Sequence, residues 1–272
     1  MDRKTDMIDT KEMRRDLLKM ALAAKSQGAH MGGSLSLVEI MAALYGGAMM
    51  FDPAAPQAEP RDRLILSKGH GVMAQYAAMK QVGMLTEEKL LTYKANGSPV
   101  SAHPSVNPAL GIDFASGSLG QGLSLGVGVA LGLRRKGDEC SRVFVVLGDG
   151  ECDEGSVWEA AMTASHYQLA NVVAIIDRNG LQYDGNTEDV LALAGFSAKW
   201  KAFGWDVVTV DGHNVDVLTD AFRTRTEKPL VVIAETVKGK GFSFMEYIPQ
   251  WHNGIVTQRL YEQGLAELEA AE

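Results

Sequence analysis

Cysteine is nearly absent from this chain. Its 272 residues contain two, Cys140 and Cys152, and they do not form a Cys-x-x-Cys pair. The pattern carries no zinc or disulfide framework and fits a reducing, cytoplasmic setting. An excess of basic charge is absent too. Lys and Arg total 26 against 34 Asp and Glu, for a net charge of -8. No run of Lys or Arg interleaved with aromatics offsets this, which argues against a nucleic-acid surface. Long apolar runs are missing. The longest, residues 123–133, is short and rich in glycine, so no membrane span is expected. Met1-Asp2-Arg3-Lys4-Thr5-Asp6 leads into a charged amphipathic helix, not an apolar signal core. There is no internal repeat, low-complexity tract or clear linker. Gly-x-Gly-x-x-Gly does not follow the early strands, which makes a nicotinamide-binding fold a poor fit.

What is present is an apolar composition of 46%, enough for a sizeable core, and two strand-end signals. Gly148-Asp149-Gly150 follows Val143-Phe144-Val145-Val146-Leu147. Asp177-Arg178-Asn179-Gly180 follows Val172-Val173-Ala174-Ile175-Ile176. One helix-length stretch, residues 156–167, separates them. The unit reads as strand–helix–strand, with Asp149 and Asn179 at the carboxyl ends of two parallel strands. Ligands of open α/β sheets sit at those ends. Gly-Asp-Gly after a strand can be a simple turn, but an Asn one unit later adds a second hard oxygen donor. Such a pair suits Mg²⁺ or Ca²⁺, and Mg²⁺ usually completes its shell with water and ligand phosphates.

The remaining periodicity predicts helices over residues 9–27, 86–94, 123–135, 215–223 and 256–271, an Ala/Met-rich helix after Gly71, and short strands at 64–66, 206–210 and 230–234. Gly28-Ala29-His30-Met31-Gly32-Gly33 reads as a loop. Ser36 stands three residues before Glu39, the spacing of a capping box. Residues 96–122 form a long irregular stretch of the kind that is usually functional. The expected fold is α/β: one doubly wound, mainly parallel sheet with helices on both faces. Residues 1–272 form a single domain with a C-terminal helical tail.

Of six histidines, four lie in loops. His30, His70 and His103 have Gly, Ala or Pro beside them, and His252 follows the last strand. Small neighbours let a ligand approach the backbone and leave an imidazole projecting. In a parallel sheet His70 shares a rim with Asp149 and Asn179. His166, on a helix, and His213, in a turn, read as structural.

In this order the motifs resemble the N-terminal, diphosphate-binding half of transketolase. The resemblance covers roughly residues 11–253. It rests on Gly28-Ala29-His30-Met31-Gly32-Gly33-Ser34, Ser67-Lys68-Gly69-His70-Gly71, Ala102-His103-Pro104, Gly117-Ser118-Leu119-Gly120-Gln121-Gly122, Gly148-Asp149-Gly150 with Glu154-Gly155 and Asn179-Gly180, and Lys238-Gly239-Lys240-Gly241 followed by His252. Met31 and Ser118 stand where many full-length members carry proline. Those changes are closer to split bacterial forms and to the deoxyxylulose-phosphate synthase branch. Asn253, not Gly, follows His252.

The resemblance implies thiamine diphosphate as cofactor. Asp149, Asn179 and the carbonyl of Leu181 would hold Mg²⁺, or Ca²⁺ or Mn²⁺, on its diphosphate. Gly150 would donate its N–H to that group, with His70 and His252 beside it. Gly117, Ser118 and Leu119 would meet the aminopyrimidine, Gly117 and Leu119 through backbone atoms. Glu154 would pair with an acidic residue across a subunit interface. His30, His103 and His70, with His252, would line the substrate channel as catalytic residues. Full-length members continue into a pyrimidine-binding domain and a third domain, which supply the glutamate that protonates the aminopyrimidine. The implied assembly is an α2β2 heterotetramer with a separate C-terminal subunit. It would act on a ketose donor and an aldose acceptor. Alternatives are a deoxyxylulose-phosphate synthase-like or 2-oxoacid dehydrogenase α-like subunit, or a non-catalytic cofactor-binding scaffold. The histidine set favours transketolase, since 2-oxo acids do not need several imidazoles to read hydroxyls.

Overall fold

The computed structural model describes residues 8–270. The Met1–Asp6 lead-in and the last predicted residue of the tail helix, Ala271, lie outside the described residues. Five strands form one sheet: β1 (Arg63–Leu66), β2 (Val143–Gly148), β3 (Val172–Arg178), β4 (Asp206–Asp211) and β5 (Leu230–Glu235), in spatial order β1-β2-β3-β5-β4. Every pairing is parallel. The central strands are apolar on both faces because both faces are covered, as parallel sheets require.

Alternation along the strands divides the core in two. Phe144, Val146, Val173, Ile175 and Val232 face one cluster. That cluster is built by α1 (Thr10–Ala23), α2 (Met31–Leu35), α3 (Val38–Ala43) and α4 (Val72–Gln81), with α5 (Glu87–Leu90) at its margin. Val143, Val145, Leu147, Ala174 and Ile176 face the other, against α6 (Gly122–Arg135) and α7 (Gly155–His166). Beyond β3 come α8 (Thr187–Val190) and α9 (Phe196–Ala202), whose Phe196 and Trp200 join the second cluster. The first cluster also takes up α10 (Val215–Arg223) and α11 (Gln258–Ala270). Each fully buried Val, Leu or Ile contributes about 1.5–3 kcal/mol of burial.

The helix expected over 215–223 holds as α10, while the one expected over 9–27 runs as α1 only to Ala23. Asp9 caps α1, its Oδ1 accepting from the backbone of Lys11 and Glu12. Asn214 caps α10 in the same way. Others need correction. The Gly28–Gly33 segment is not all loop: α2 starts at Met31, because the chain there packs into the core, where Met31 to Leu35 are buried. Ser36 is no helix cap. Its hydroxyl donates to Asp177 Oδ2 at 2.7 Å, with Gly33 O farther off at 3.3 Å, and α3 begins at Val38. Glu39 pairs instead with Arg14 at 2.7 Å and His213 at 2.9 Å. His213 Nε2 also accepts the Val237 N–H, confirming its structural role and fixing the Nδ1–H tautomer toward Glu39. The helix expected over 86–94 contracts to the single turn α5, after which Lys94 takes a left-handed φ of 61°. The short helix α9, seven residues long, has no clear signal in the sequence. No helix among the described residues is long and apolar enough to cross a membrane.

Candidate active site

The carboxyl ends of β1, β2, β3 and β5 converge on one cavity of about 420 Å³. The register pairs Gly148 with Asp177, so the residues that follow, Asp149 and Asn179, face the same opening from adjacent strands. Asp149 is held by two backbone donors: Gly150 N at 2.9 Å and Gly180 N at 2.7 Å. Asn179 Oδ1 accepts the Leu181 N–H at 3.1 Å. Gly150, Glu154 and Leu181 also line the cavity, as do Gly117 and Leu119 from the long irregular loop. Ser118 belongs to that loop but is exposed and outside the cavity lining.

Four loops that spacing alone could not relate bring their imidazoles together here. His30 stands at the N-terminus of α2, with its ring centroid 5.6 Å from those of His70, His103 and His252. His70 and His252 are 5.0 Å apart. Small residues make room: a Cβ at Gly33 would lie 3.0 Å from the His70 ring, and one at Gly117, whose φ is +148°, would lie 3.1 Å from the His103 ring. Burial, then His103 and then Lys94, pushes His30 down to about 4. Burial followed by Lys238 pushes His252 down to about 4, and burial lowers His70 and His103 as well. Burial thus favours the neutral form of all four rings, in which one nitrogen of each ring is a hydrogen-bond acceptor.

Beneath the rings lies a charged floor that the motifs alone do not reveal. Lys68 and Asp177 form an ion pair and are 2% and 0% exposed. Burial, then Lys68, lowers Lys238 to about 8, and its ammonium lies 3.0 Å from Leu181 O and 3.2 Å from His252 Nδ1. Glu151 accepts from Gly120 N at 2.9 Å, Gly148 N at 3.0 Å and the Ser67 hydroxyl. It thereby ties the Gly117–Gly122 loop to the ends of β1 and β2. The available signal for this floor is a charged residue closing the apolar run Ile175-Ile176-Asp177, since a buried charge demands a partner.

The donor set fits a hard divalent cation. Among the described residues no three His, Cys, Asp or Glu side chains form a metal cage. The fit rests instead on one carboxylate, an amide oxygen and a carbonyl, the all-oxygen chemistry Mg²⁺ takes when a ligand phosphate completes its shell. Leu181 O already accepts from Lys238 and keeps a second lone pair. Burial, then the Asp177 charge, raises the Asp149 carboxyl to about 6. A cation beside it would relieve both effects. Three atoms of cavity-lining residues, His30 Nδ1, Asp153 Oδ1 and Gln182 Oε1, are buried without a hydrogen-bond partner, as expected of a polar site built for a ligand.

Residues 7–255 match the family model described as the transketolase, thiamine diphosphate binding domain. The chain belongs to the transketolase family. It is 40% identical over 265 residues to one of the subunits of an apulose-4-phosphate transketolase from Phocaeicola vulgatus, covering 96% of this chain and 92% of that one. It is 42% identical over 244 residues to the 6-deoxy-6-sulfo-D-fructose transketolase subunit SqwG of a Clostridium species, covering 88% of each. A transketolase of Pichia stipitis solved with fructose 6-phosphate superposes with a TM-score of 0.86 at 28% identity, over 98% of this chain but 41% of that chain. This transketolase-family chain thus spans about two fifths of that longer relative and nearly all of the relatives named as subunits. It has the fold of the family's cofactor-binding domain, with a sheet parallel throughout.

Proposed function

We propose that this chain is the cofactor-binding subunit of a two-subunit transketolase, which moves a two-carbon ketol unit from a ketose donor to an aldose acceptor. The observation that carries the reading is the convergence of four imidazoles over Asp149 and Asn179. A ketose offers several hydroxyls and a carbonyl, and this cluster has the donors and acceptors to meet them. Residues 1–272 act as one domain, α11 packing back on the first core cluster. The setting is the cytoplasm, and two copies pair with two of a C-terminal subunit carrying the pyrimidine-binding and third domains. Two of the relatives are themselves named as transketolase subunits, which supports a separate partner.

Asp149, Asn179 and the Leu181 carbonyl hold Mg²⁺, with Ca²⁺ or Mn²⁺ able to take the same donors. Gly150 N–H, Lys238, His70 and His252 surround the diphosphate. Gly117 and Leu119 support the aminopyrimidine, while Ser118 lies outside the cavity lining. Glu154, exposed at the start of α7, faces the partner. Thiamine diphosphate, when bound, supplies the carbanion stabilisation needed to break and make the carbon–carbon bond. The protein's own part is proton handling. His30 and His103 take the donor's hydroxyl proton and return it to the acceptor. His70 and His252 donate toward the oxygen that becomes an alkoxide. The names of the relatives point to a donor with an anionic end, a phosphate or a sulfonate, read mostly by the partner.

Substituting His30 or His103 by Asn in the assembled enzyme tests this. The expected result is a rate lower by about 10²–10⁴-fold with cofactor affinity retained. An unchanged rate supports a scaffold subunit instead.

A further inference from the structure

We propose that Asp177 is a positioning residue that fixes which end of the Asn179 amide faces the metal. The inference rests on the metal reading of Asp149, Asn179 and Leu181 given above. Asp177 lies near the end of β3, in register with Gly148 of β2 and Ala234 of β5, at the centre of the sheet. Its carboxylate is 0% exposed and collects donors from four parts of the chain. Oδ2 accepts from Ser36 Oγ at 2.7 Å, from Asn179 Nδ2 at 3.1 Å and from the Lys68 ammonium. Oδ1 accepts from the Thr236 hydroxyl.

The two ends of an amide differ in chemistry but not in shape. Nitrogen and oxygen are nearly the same size, so packing alone does not set the orientation of an Asn side chain. An ionised carboxylate only accepts. Set against Asn179, it admits the NH₂ end and rejects the oxygen. Oδ1 is thereby turned to the Leu181 side, where it accepts that residue's N–H and faces the cavity that Asp149 and Leu181 line. With the amide reversed, an NH₂ would point at the cation and at the Leu181 N–H, and both contacts would be repulsive. A second carboxylate so close to Asp149 is electrostatically unfavourable for the pair, and the Lys68 ammonium compensates it. The arrangement makes sense if the carboxylate is retained for the orientation it enforces. Partners behind a metal ligand typically matter by about 10–100-fold in metal affinity.

The test is a Mn²⁺ titration, with thiamine diphosphate present, of the full chain together with the subunit that co-purifies with it. Free Mn²⁺ is read by electron paramagnetic resonance, and a melting curve on each sample gives the folded fraction. Asp177→Asn introduces a donor opposite Asn179 and is expected to weaken Mn²⁺ binding by the folded fraction about 10–100-fold. If that variant does not fold, Thr236→Val removes one hydrogen bond and no charge from the same carboxylate. It is expected to weaken Mn²⁺ binding about fivefold, the equivalent of one ordinary hydrogen bond. A merely structural role would lower the melting temperature and leave the Mn²⁺ affinity of folded protein unchanged, and that result overturns the inference alone. Wild-type protein that binds no Mn²⁺ overturns the metal reading, and the inference with it.

Discussion

Lys238 donates from its ammonium to the carbonyl oxygen of Leu181 at 3.0 Å, across 57 residues of sequence. The contact joins the loop after β5 to the loop after β3, and it brings a buried cation to the edge of the cavity. The same ammonium reaches Gln182 O at 3.4 Å and His252 Nδ1 at 3.2 Å. Lys238→Met keeps the length of the side chain and removes the charge. It should weaken thiamine diphosphate binding about tenfold or more, the cost of one charge-assisted hydrogen bond to a phosphate. Titration of cofactor against intrinsic fluorescence measures this, and an unchanged affinity would place Lys238 outside the diphosphate site.

Acid should destabilise the folded chain through its histidines. The ordinary imidazole value is 6.5, and His30 and His252 are each lowered to about 4. Between those values the unfolded chain binds protons that the folded chain refuses. Stability is therefore intact above about 6.5 and declines as the pH falls toward 4. The melting temperature should be several degrees lower at pH 5 than at pH 7. His30→Asn should shrink that difference, because one of the refused protons is no longer offered. A melting temperature flat across this range would mean that the four rings are more hydrated than their packing implies.

Glu151 should prove a stability residue with a local signature. Its Oε1 accepts from Gly120 N and the Ser67 hydroxyl, and its Oε2 from Gly148 N. Glu151→Gln sets an NH₂ against one of these donors and removes the charge. The expected loss is about 1–3 kcal/mol by urea denaturation. Proteolysis should become faster within residues 116–122, where the clamp is released. Equal stability and equal cleavage would count against the clamp.

The buried Arg14–Glu39–His213 group makes a contrasting prediction. Glu39 is 5% exposed and joins Arg14 to His213, while Arg14 Nε donates to Lys240 O at 3.1 Å and His213 accepts from Val237. Glu39→Ala strands a buried arginine, at a cost of about 3–5 kcal/mol. It should also loosen residues 237–241, visible as faster amide exchange there. A loss below about 1 kcal/mol would mean that water replaces the carboxylate, as at an exposed ion pair.

The sheet and half of the site are legible in the sequence because local chemistry writes them. Val143–Leu147 and Val172–Ile176 are apolar on both faces, one helix apart, so parallel pairing and the placement of Asp149 and Asn179 follow. The histidines are readable one by one, as ring-bearing positions beside small residues, but their meeting is a tertiary fact. His30 and His252 are 222 positions apart and come within 5.6 Å. The role of Asp177 is hidden because it closes an apolar strand, and its four donors come from residues as distant as Ser36 and Thr236. Ser36 misleads for the same reason. A serine three residues before a glutamate satisfies the local rule for a cap, yet its hydroxyl is taken by a carboxylate 141 residues away. The extent of the helix near residue 90 is not local either, since Lys94 leaves helical geometry to bond Val100 O and to aim its ammonium at Gly28 O.

The central claim is tested most directly by the rate of ketol transfer from a ketose phosphate to an aldose, for the chain alone and for the chain with the polypeptide that co-purifies with it, each supplied with thiamine diphosphate and Mg²⁺. No transfer is expected from the chain alone, and sustained transfer once the second polypeptide is present. Sustained turnover by the chain alone, or none with any co-purifying partner, would contradict the two-subunit reading.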